Sequence, residues 1–262
     1  MNFSNQNVQL AQGMYISSST QQHPLGTRGY DDMGRANAYC RAGASDLAAG
    51  FVIQGAAIPA GGLTLACHTT TGGTAPGSTQ IMVTCVSAIS TGFYNEGLLI
   101  VASGSGQGTE YKISSTPAVS TGATGAFTLY FEDAMPVMTN MTIATTSTIS
   151  LIPNPYMNVI KAPVTTLTGP IVGVSKYPIT ATQYGWIQTW GPSSVVMQDT
   201  GAAGTSIVGV SATTGRAASL SNMTTGSTTT FLNNLVGSPI IGYLLAVGVV
   251  AEVRPVFLTI RP

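Results

Sequence analysis

Ionisable side chains are scarce in this chain of 262 residues, which carries nine Lys or Arg and nine Asp or Glu. Charged residues make up 7 % of the sequence, against about 25 % in a typical soluble domain. Because the formal net charge is zero and no basic stretch is present, neither a nucleic acid nor a membrane is expected as a partner. Hydrophobic residues reach 44 %, which excludes an intrinsically disordered chain.

Histidine and cysteine are also rare, which removes most catalytic and metal-binding chemistry. The two histidines, His23 and His68, lie far apart and are predicted to be solvated loop residues, so neither a general base nor a zinc-ligand pair is apparent. Cys40, Cys67 and Cys85 form no C-x-x-C pair and are predicted to be buried, reduced thiols. The sequence therefore predicts no catalytic residue, no metal ligand and no cofactor site, and a protein that is not an enzyme.

Two acid pairs, Asp31-Asp32 and Glu132-Asp133, are the remaining candidates for hydrolytic chemistry. Neighbouring residues of an extended segment point to opposite sides, so both pairs are predicted to be turn or strand-end acids. A hydrolase would require the fold to bring together distant acids such as Asp32, Glu132 and Asp199, which their spacing does not indicate.

No hydrophobic run in the sequence predicts a membrane span. The best candidate, the stretch 239–251, has 13 residues, fewer than the roughly 20 that a helical span needs. Gly242 and Gly248 interrupt it in the manner of strand turns. The first residues have neither a basic nor an apolar leader region, so synthesis and use in the cytosol are expected.

The sequence is rich instead in Thr, Gly and Ser, with 36, 31 and 24 residues. These three residue types form helices poorly. Short apolar runs alternate with Gly- and Pro-rich turns, as at 98–101 and 127–131, and this pattern indicates strands. We predict an all-β fold of two or more small antiparallel β-sandwich or barrel-like modules, preceded by an extended N-terminal arm.

The domain organisation is predicted from charge and proline content. Residues 1–27 precede the first charged residue, and their Gln-, Ser- and Asn-rich composition predicts an arm that is either ordered by a partner or free. Prolines cluster from Pro153 onward and indicate a boundary. The predicted division is the arm at 1–27, a β-rich domain at 28–162 that contains either one module or two (28–90 and 91–162), and a C-terminal β domain at 163–262.

The segment 184–190 predicts a strand with one aromatic face, because alternate residues share a side. Trp186 is predicted to fill the core between sheets, whereas other aromatic and apolar residues are candidate anchors for a protein partner. The last strand is predicted to place Val256 and Leu258 on one face and Phe257 on the other. The predicted partner-interface residues are Val8, Leu10, Met14, Tyr15, Ile16, Tyr184 and Trp190.

A surface poor in charge favours lasting contacts with other proteins, since few ions have to be desolvated when a large area is buried. On such a surface, Thr and Ser hydroxyls and main-chain groups provide the hydrogen bonds to water. This composition is typical of a permanent component of an assembly rather than of a freely diffusing enzyme.

Several segments resemble the head decoration, or cement, proteins of tailed bacteriophages. The string GRANAYCRAGA at 34–44, followed by LAAG at 47–50, resembles the opening strand and turn of these proteins. Later segments of the family are similar to SLIPNPY at 150–156, with Val159 and Ile160, to the strand 184–196, and to VFLTI at 256–260. The resemblance touches most of the chain from residue 34 onward.

The resemblance implies a non-enzymatic structural virion protein that binds the outer surface of a capsid and cements neighbouring major capsid subunits. The implied partners are the major capsid protein and further copies of this chain in a homotrimer. The implied location is the outer capsid surface, after assembly in the host cytoplasm. The arm would grip the lattice, so deletion of residues 1–27 is expected to abolish attachment and to leave the folded body intact.

Two alternatives stay open. A phage tail or fibre protein that recognises host glycans would also use an aromatic strand such as 184–190, because sugars stack on aromatic rings. A β-rich hydrolase would need its acids brought together by the fold. Binding to a glycan array would favour the first alternative, and turnover of a substrate would favour the second.

Overall fold

The computed structural model describes residues 8–9, 13–58, 65–66, 74–84, 89–118, 126–132, 137, 148–163, 167–209, 211, 213–220 and 239–261. The chain divides into two compact units. The insert unit comprises Ala57–Asn154, and the main unit comprises Phe3–Ala56 together with Pro155–Pro262. The main unit is therefore discontinuous in sequence, with the insert unit between its two parts.

The described residues form seventeen strands and one short 3-10 helix, Gly13–Tyr15. Strands β5 to β10 belong to the insert unit and the others to the main unit. In chain order the strands are β1 Val8–Gln9, β2 Arg28–Tyr30, β3 Ala36–Arg41, β4 Val52–Gln54, β5 Leu65–Ala66, β6 Gln80–Thr84, β7 Leu98–Ser103, β8 Glu110–Ser115, β9 Ala126–Phe131, β10 Thr148–Ile152, β11 Ile160–Lys161, β12 Ile171–Ser175, β13 Tyr184–Val196, β14 Ser206–Val208, β15 Ala218–Ser219, β16 Ile240–Leu244 and β17 Val253–Thr259.

The main unit is built on an eleven-stranded sheet with the principal order β1-β2-β3-β13-β17-β16-β14-β15. The 13-residue strand β13 is antiparallel to β3, where Trp186 pairs with Tyr39, and to β17, where Ser193 pairs with Val256. Strand β12 pairs with β13 and with β4, and β4 also pairs with β11. Strand β13 thus connects segments that precede and follow the insert.

Alternating side chains of the main sheet build two apolar clusters. One contains Trp186 with Tyr39 and Ile179, and the other contains Leu244 and other inward residues of β13, β14, β16 and β17. Along β17 the predicted alternation is confirmed, because Val256 and Leu258 are buried whereas Phe257 is half-buried and Thr259 is exposed.

The insert unit has a six-stranded antiparallel sheet in the order β5-β10-β7-β8-β9-β6. Its inward side chains recur at every second residue, as expected for strands with one buried face. Leu99 and Val101 of β7 and Tyr111 and Ile113 of β8 are each no more than 2 % exposed and belong to one apolar cluster. The unit therefore has a hydrophobic core of its own.

The predicted all-β fold of antiparallel modules is confirmed. The parallel pair β1–β2 departs from the antiparallel arrangement of the other strand pairs. Among the described residues, none of the helical segments has the length and hydropathy of a membrane span.

The compact units differ from the predicted division into 28–162 and 163–262. Gln54 of β4 pairs with Ile160 of β11, and β4 also pairs with β12, so strands on both sides of the insert share one sheet. The proline-rich stretch begins where the insert ends, at Asn154. The predicted boundary between 162 and 163 lies further along the chain, and turn composition carries no information on which distant strands pair.

The N-terminal segment packs against the main unit rather than extending from it. Met14 is 2 % exposed and Leu25 is 9 % exposed, and both belong to the cluster around Trp186. Ser18 and Tyr184 exchange two backbone hydrogen bonds, of 2.9 and 2.8 Å. Residues 13–27 are therefore part of the folded body, and we expect deletion of residues 1–27 to destabilise this body because it removes core contacts.

Candidate functional site

The interface residues predicted from the start of the chain occupy different environments. Met14 is in the core, whereas Tyr15 and Ile16 are 52 % and 66 % exposed. Val8 lies in β1, paired with β2, and Leu10 lies outside the described residues. Of Met14, Tyr15 and Ile16, the last two have exposed apolar side chains.

Tyr184 and Trp190, the interface residues predicted from the aromatic strand, are half-buried. The ring of Tyr184 stacks on Tyr39 with 6.0 Å between centroids, and the guanidinium of Arg41 lies over it at 5.9 Å. The ring of Trp190 meets Phe257 edge-on at 5.1 Å. Both rings therefore already pack on neighbours within the chain, which reduces the face available to stack on a sugar.

Trp186 is 4 % exposed and fills the core as predicted. His23, which was expected to be a solvated loop residue, instead lies 5.3 Å from both Trp186 and Tyr39, measured between ring centroids. Its imidazole packs as an aromatic group. Cys40 is fully buried, as predicted for a reduced thiol, and burial raises the pKa of its thiol. His68, Cys67 and Cys85 lie outside the described residues.

The acidic residues considered for hydrolysis have separate structural contacts. Asp31 accepts a 2.5 Å hydrogen bond from Arg35 Nε, while Glu132 of the insert unit forms an ion pair of 2.7 Å with Lys112. Asp199 accepts a hydrogen bond from the backbone N–H of Ser219. Asp133 lies outside the described residues. Within the described parts of the chain, no three His, Cys, Asp or Glu residues are grouped as metal ligands.

A large exposed apolar surface lies on the hairpin of β16 and β17 and its loop, 245–252. Its side chains are between 47 % and 65 % exposed. We call this surface the apolar hairpin, defined by Tyr243, Leu245, Val247, Val249, Val250 and Val253. Glu252 is its sole charged neighbour in the stretch 239–253. A concentration of exposed apolar side chains on one hairpin is typical of a contact site for another protein.

The backbone of this loop is tied to the main sheet at both ends. Leu245 N–H donates to the carbonyl of Pro255 at 3.0 Å, and Ala251 N–H donates to the carbonyl of Met197 at 3.0 Å. Met197 N–H in turn donates to the carbonyl of Glu252 at 3.0 Å. These bonds hold the apolar side chains on a fixed frame, so little conformational entropy remains to be lost when a partner binds.

The uncharged run 239–251 was the sequence signal for this surface, although its glycines were interpreted as strand turns. Gly248 does lie in the loop, but Gly242 lies inside β16. A Cβ at Gly242 would clash with the carbonyl oxygen of Phe257. The residue permits close approach of two strands, which a turn-based interpretation of glycine does not anticipate.

Next to the apolar hairpin the main unit has a cavity of about 360 Å³, which we call the basic pocket. Its lining includes Arg35, Lys176, Ser193, Val253 and Arg254. Val253 belongs to both features, so the pocket and the apolar hairpin are contiguous. The basic residues come from three distant parts of the sequence, and for this reason no local motif indicated the pocket.

Asp31 is the buried counterion of this region. Its Oδ1 accepts hydrogen bonds from the backbone N–H groups of Met33 and Arg35, and its Oδ2 lies 2.5 Å from Arg35 Nε and 3.8 Å from Lys176 Nζ. Burial alone would raise the pKa of Asp31, but the hydrogen bonds from Arg35 and the charges of Arg35 and Lys176 leave it below its ordinary value. Asp31 is therefore ionised at neutral pH.

Lys176 is the most perturbed of the pocket's cations. Its burial, together with the charge of Arg35, lowers the pKa of Lys176 from 10.5 to about 8, although Asp31 acts in the opposite direction. Its Nζ also lies 5.6 Å from the centroid of the exposed Tyr15 ring. The predicted interface residue Tyr15 is thereby placed beside the basic pocket.

No family model matches this chain, and neither the curated proteins nor the solved structures compared with it gave a match.

Proposed function

We propose that this chain is a non-enzymatic structural protein of a virion, which binds the outer surface of a phage capsid and joins neighbouring major capsid subunits. The observation that carries the proposal is the apolar hairpin. An exposed surface of this kind is unfavourable in water and gains free energy when a partner covers it. The resemblance to phage decoration proteins supplies the class of partner.

The low charge of the chain suits such an attachment. Burying an unpaired charge is costly, and all six side chains that define the apolar hairpin are uncharged, with Glu252 and Arg254 as the charged residues next to them in sequence. A homotrimer would present three copies of the surface to a repeating lattice. Binding through several copies raises the effective concentration of each contact, so modest individual affinities add to firm attachment.

The contacts of the acidic residues support a structural role. Asp31 and Glu132 form ion pairs with Arg35 and Lys112, and Asp31 is buried. Carboxylates held in ion pairs stabilise the fold. They are poorly placed to act together on one substrate as the two acids of a hydrolase do. This favours the structural proposal over the hydrolase alternative.

The decisive experiment mixes purified protein with phage particles produced without it. We expect the wild-type chain to sediment with these particles, to saturate at a fixed number of copies, and to raise the temperature at which they release DNA. The double variant Val247→Lys/Val249→Lys is expected to stay in solution, because it introduces two charges that would have to be desolvated in the contact.

A matched control is Tyr130→Lys, which adds a charge at a residue that is 44 % exposed on strand β9 of the insert unit. This variant is expected to bind like the wild type. Equal binding by the hairpin double variant, or no wild-type chain on the particles, would contradict the proposal.

The trimer is tested separately by native mass spectrometry of the purified chain. A mass three times that of the 26.8 kDa chain is expected. If Val247→Lys/Val249→Lys converts this species to a monomer, the apolar hairpin forms the trimer contact rather than the capsid contact.

A further inference from the structure

The basic pocket concentrates positive charge in a chain that has little of it. Arg35, Lys176 and Arg254 are three of the chain's nine basic residues, and all three line this one cavity. The carboxylates near them are Asp31, which is buried beside Arg35 and Lys176, and Glu252. Glu252 and Arg254 both pack against Gly248. If Gly248 carried a Cβ atom, that atom would lie 2.5 Å from Glu252 Oε2 and 2.8 Å from Arg254 Nε. Three cations thus face two carboxylates.

Three buried donors of the pocket residues make no hydrogen bond within the described parts of the chain. They are Ser193 Oγ, Arg254 Nε and Lys176 Nζ, and the last of these has only the ion pair with Asp31 Oδ2 at 3.8 Å. Ser193 is 6 % exposed and Arg254 is 2 % exposed, so both side chains lie largely out of bulk solvent. Leaving a buried donor unpaired is unfavourable, and more so when the donor is charged. An acceptor that enters the pocket would reduce this penalty.

The pocket's basic groups are held in place by hydrogen bonds to other parts of the main unit. Arg254 donates from Nη1 to the carbonyl of Thr200 at 2.5 Å and from Nη2 to the carbonyl of Val249. Arg35 is oriented by its Nε bond to Asp31. A binding site whose donors are already oriented loses little entropy when its ligand arrives.

We propose that the basic pocket binds an oxyanion, either a carboxylate or a phosphoryl group, between Arg35, Lys176, Ser193 and Arg254. An oxyanion combines a negative charge with several acceptor oxygens, which matches three cations and an unpaired hydroxyl. The volume of about 360 Å³ exceeds that of a bare ion and suits a small molecule or a side chain that carries the anionic group. This proposal goes beyond the capsid role and does not depend on it.

The chain's three lysines, Lys112, Lys161 and Lys176, allow a direct test in the full-length protein. Lysine labelled with ¹³C at Cε gives three NMR signals, and Lys176→Met identifies one of them. The probes are inorganic phosphate and succinate, each titrated against potassium chloride of equal ionic strength. We expect one or both probes to shift the Lys176 signal to saturation and to leave the Lys112 and Lys161 signals unchanged.

Calorimetry with the probe that binds then measures the contribution of each donor. We expect Lys176→Met to weaken binding roughly tenfold or more, because a charge-assisted hydrogen bond is lost. The matched control Lys161→Met removes a lysine from β11, outside the pocket, and is expected to bind like the wild type. Ser193→Ala retains all the charges and is expected to weaken binding by a smaller factor, which keeps the test informative if Lys176→Met does not fold.

A response to phosphate alone assigns a phosphoryl ligand, and a response to succinate alone assigns a carboxylate. No saturable shift with either probe would overturn the proposal, as would equal affinity in Ser193→Ala, Lys176→Met and Lys161→Met. Particle binding in chloride is measured independently, so failure of the pocket and failure of the capsid role give different results.

Discussion

A single buried amine, that of Lys176, links the stability of the main unit to pH. Its side chain is 11 % exposed and its Nζ lies 3.8 Å from Asp31 Oδ2. The pKa of Lys176 is lowered by burial and by Arg35, from 10.5 to about 8. Folding therefore disfavours the charged amine, which lowers the free energy of unfolding. This loss of stability disappears at a pH high enough for the amine to be neutral in both the folded and the unfolded chain.

The resulting prediction compares wild type with Lys176→Met in urea unfolding between pH 7 and pH 10.5. At pH 7 the amine is largely protonated in both states, so the penalty is almost complete. Between about pH 8 and pH 10.5 the unfolded chain binds more protons than the folded chain, so the wild type gains stability as pH rises. We expect it to gain up to about 3 kcal/mol relative to the variant.

The comparison of two chains removes the contributions of other groups that titrate in this range. Burial raises the pKa of Cys40 and of Tyr177, so both lower stability at alkaline pH, but they do so equally in wild type and variant. A stability difference that stays constant from pH 7 to pH 10.5 would show that Lys176 is not desolvated as described.

Among the structural elements, the N-terminal segment stabilises the main unit through one deeply buried side chain. Met14 lies in the cluster around Trp186 and is 2 % exposed, whereas Ile16, two residues later, is 66 % exposed. We expect Met14→Ala to lower the free energy of unfolding of the main unit by about 2–5 kcal/mol, because it leaves a cavity. Ile16→Ala is expected to change it by less than about 0.5 kcal/mol.

Chemical denaturation followed by tryptophan fluorescence measures both variants, since Trp186 and Trp190 are the chain's two tryptophans and lie in the main unit. Equal, small effects of the two substitutions would mean that the segment does not contribute to the core. A large effect of Met14→Ala would also bear on the deletion of residues 1–27. If the deleted chain no longer attached to the capsid, loss of folding would then explain the result.

The strands themselves were predictable wherever one face is buried. In β17 the alternation of Val256, Phe257 and Leu258 gave both the strand and its inward face, because side chains of a strand point to opposite sides in turn. The pairing of β4 with β11 was not predictable, since short apolar runs are alike and nothing local specifies a distant partner. The basic pocket could not be predicted for the same reason, because Arg35, Lys176 and Arg254 become neighbours through the pairing of β3, β12 and β17 with β13.

At the scale of the whole molecule, the two units each have their own sheet and core. The main-unit residues that flank the insert lie close together. A Cβ atom added to Gly55 would be only 2.8 Å from the carbonyl oxygen of Pro155. We expect replacement of residues 57–154 by a short Gly-Ser linker to leave the main unit folded, since a shorter loop costs less entropy to close. Residues 57–154 alone are expected to fold as a separate β domain.

Far-ultraviolet circular dichroism and calorimetric unfolding of the two fragments test this prediction. Each fragment should unfold in one sharp, cooperative transition, which would show that it folds without the other. A main-unit fragment without a cooperative transition would indicate that the insert unit is required for its fold.

The discontinuity of the main unit also determines the order in which the chain can fold on the ribosome. Strand β4 leaves the exit tunnel before the whole insert and its partners β11 and β12, and translation proceeds at about 5–20 residues per second. The backbone hydrogen-bonding groups of β4 therefore stay unpaired for several seconds, and during this time the strand can aggregate with other chains. Early folding of the insert is expected to shorten the distance between β4 and its partners, because Gly55 and Pro155 lie close together on either side of it.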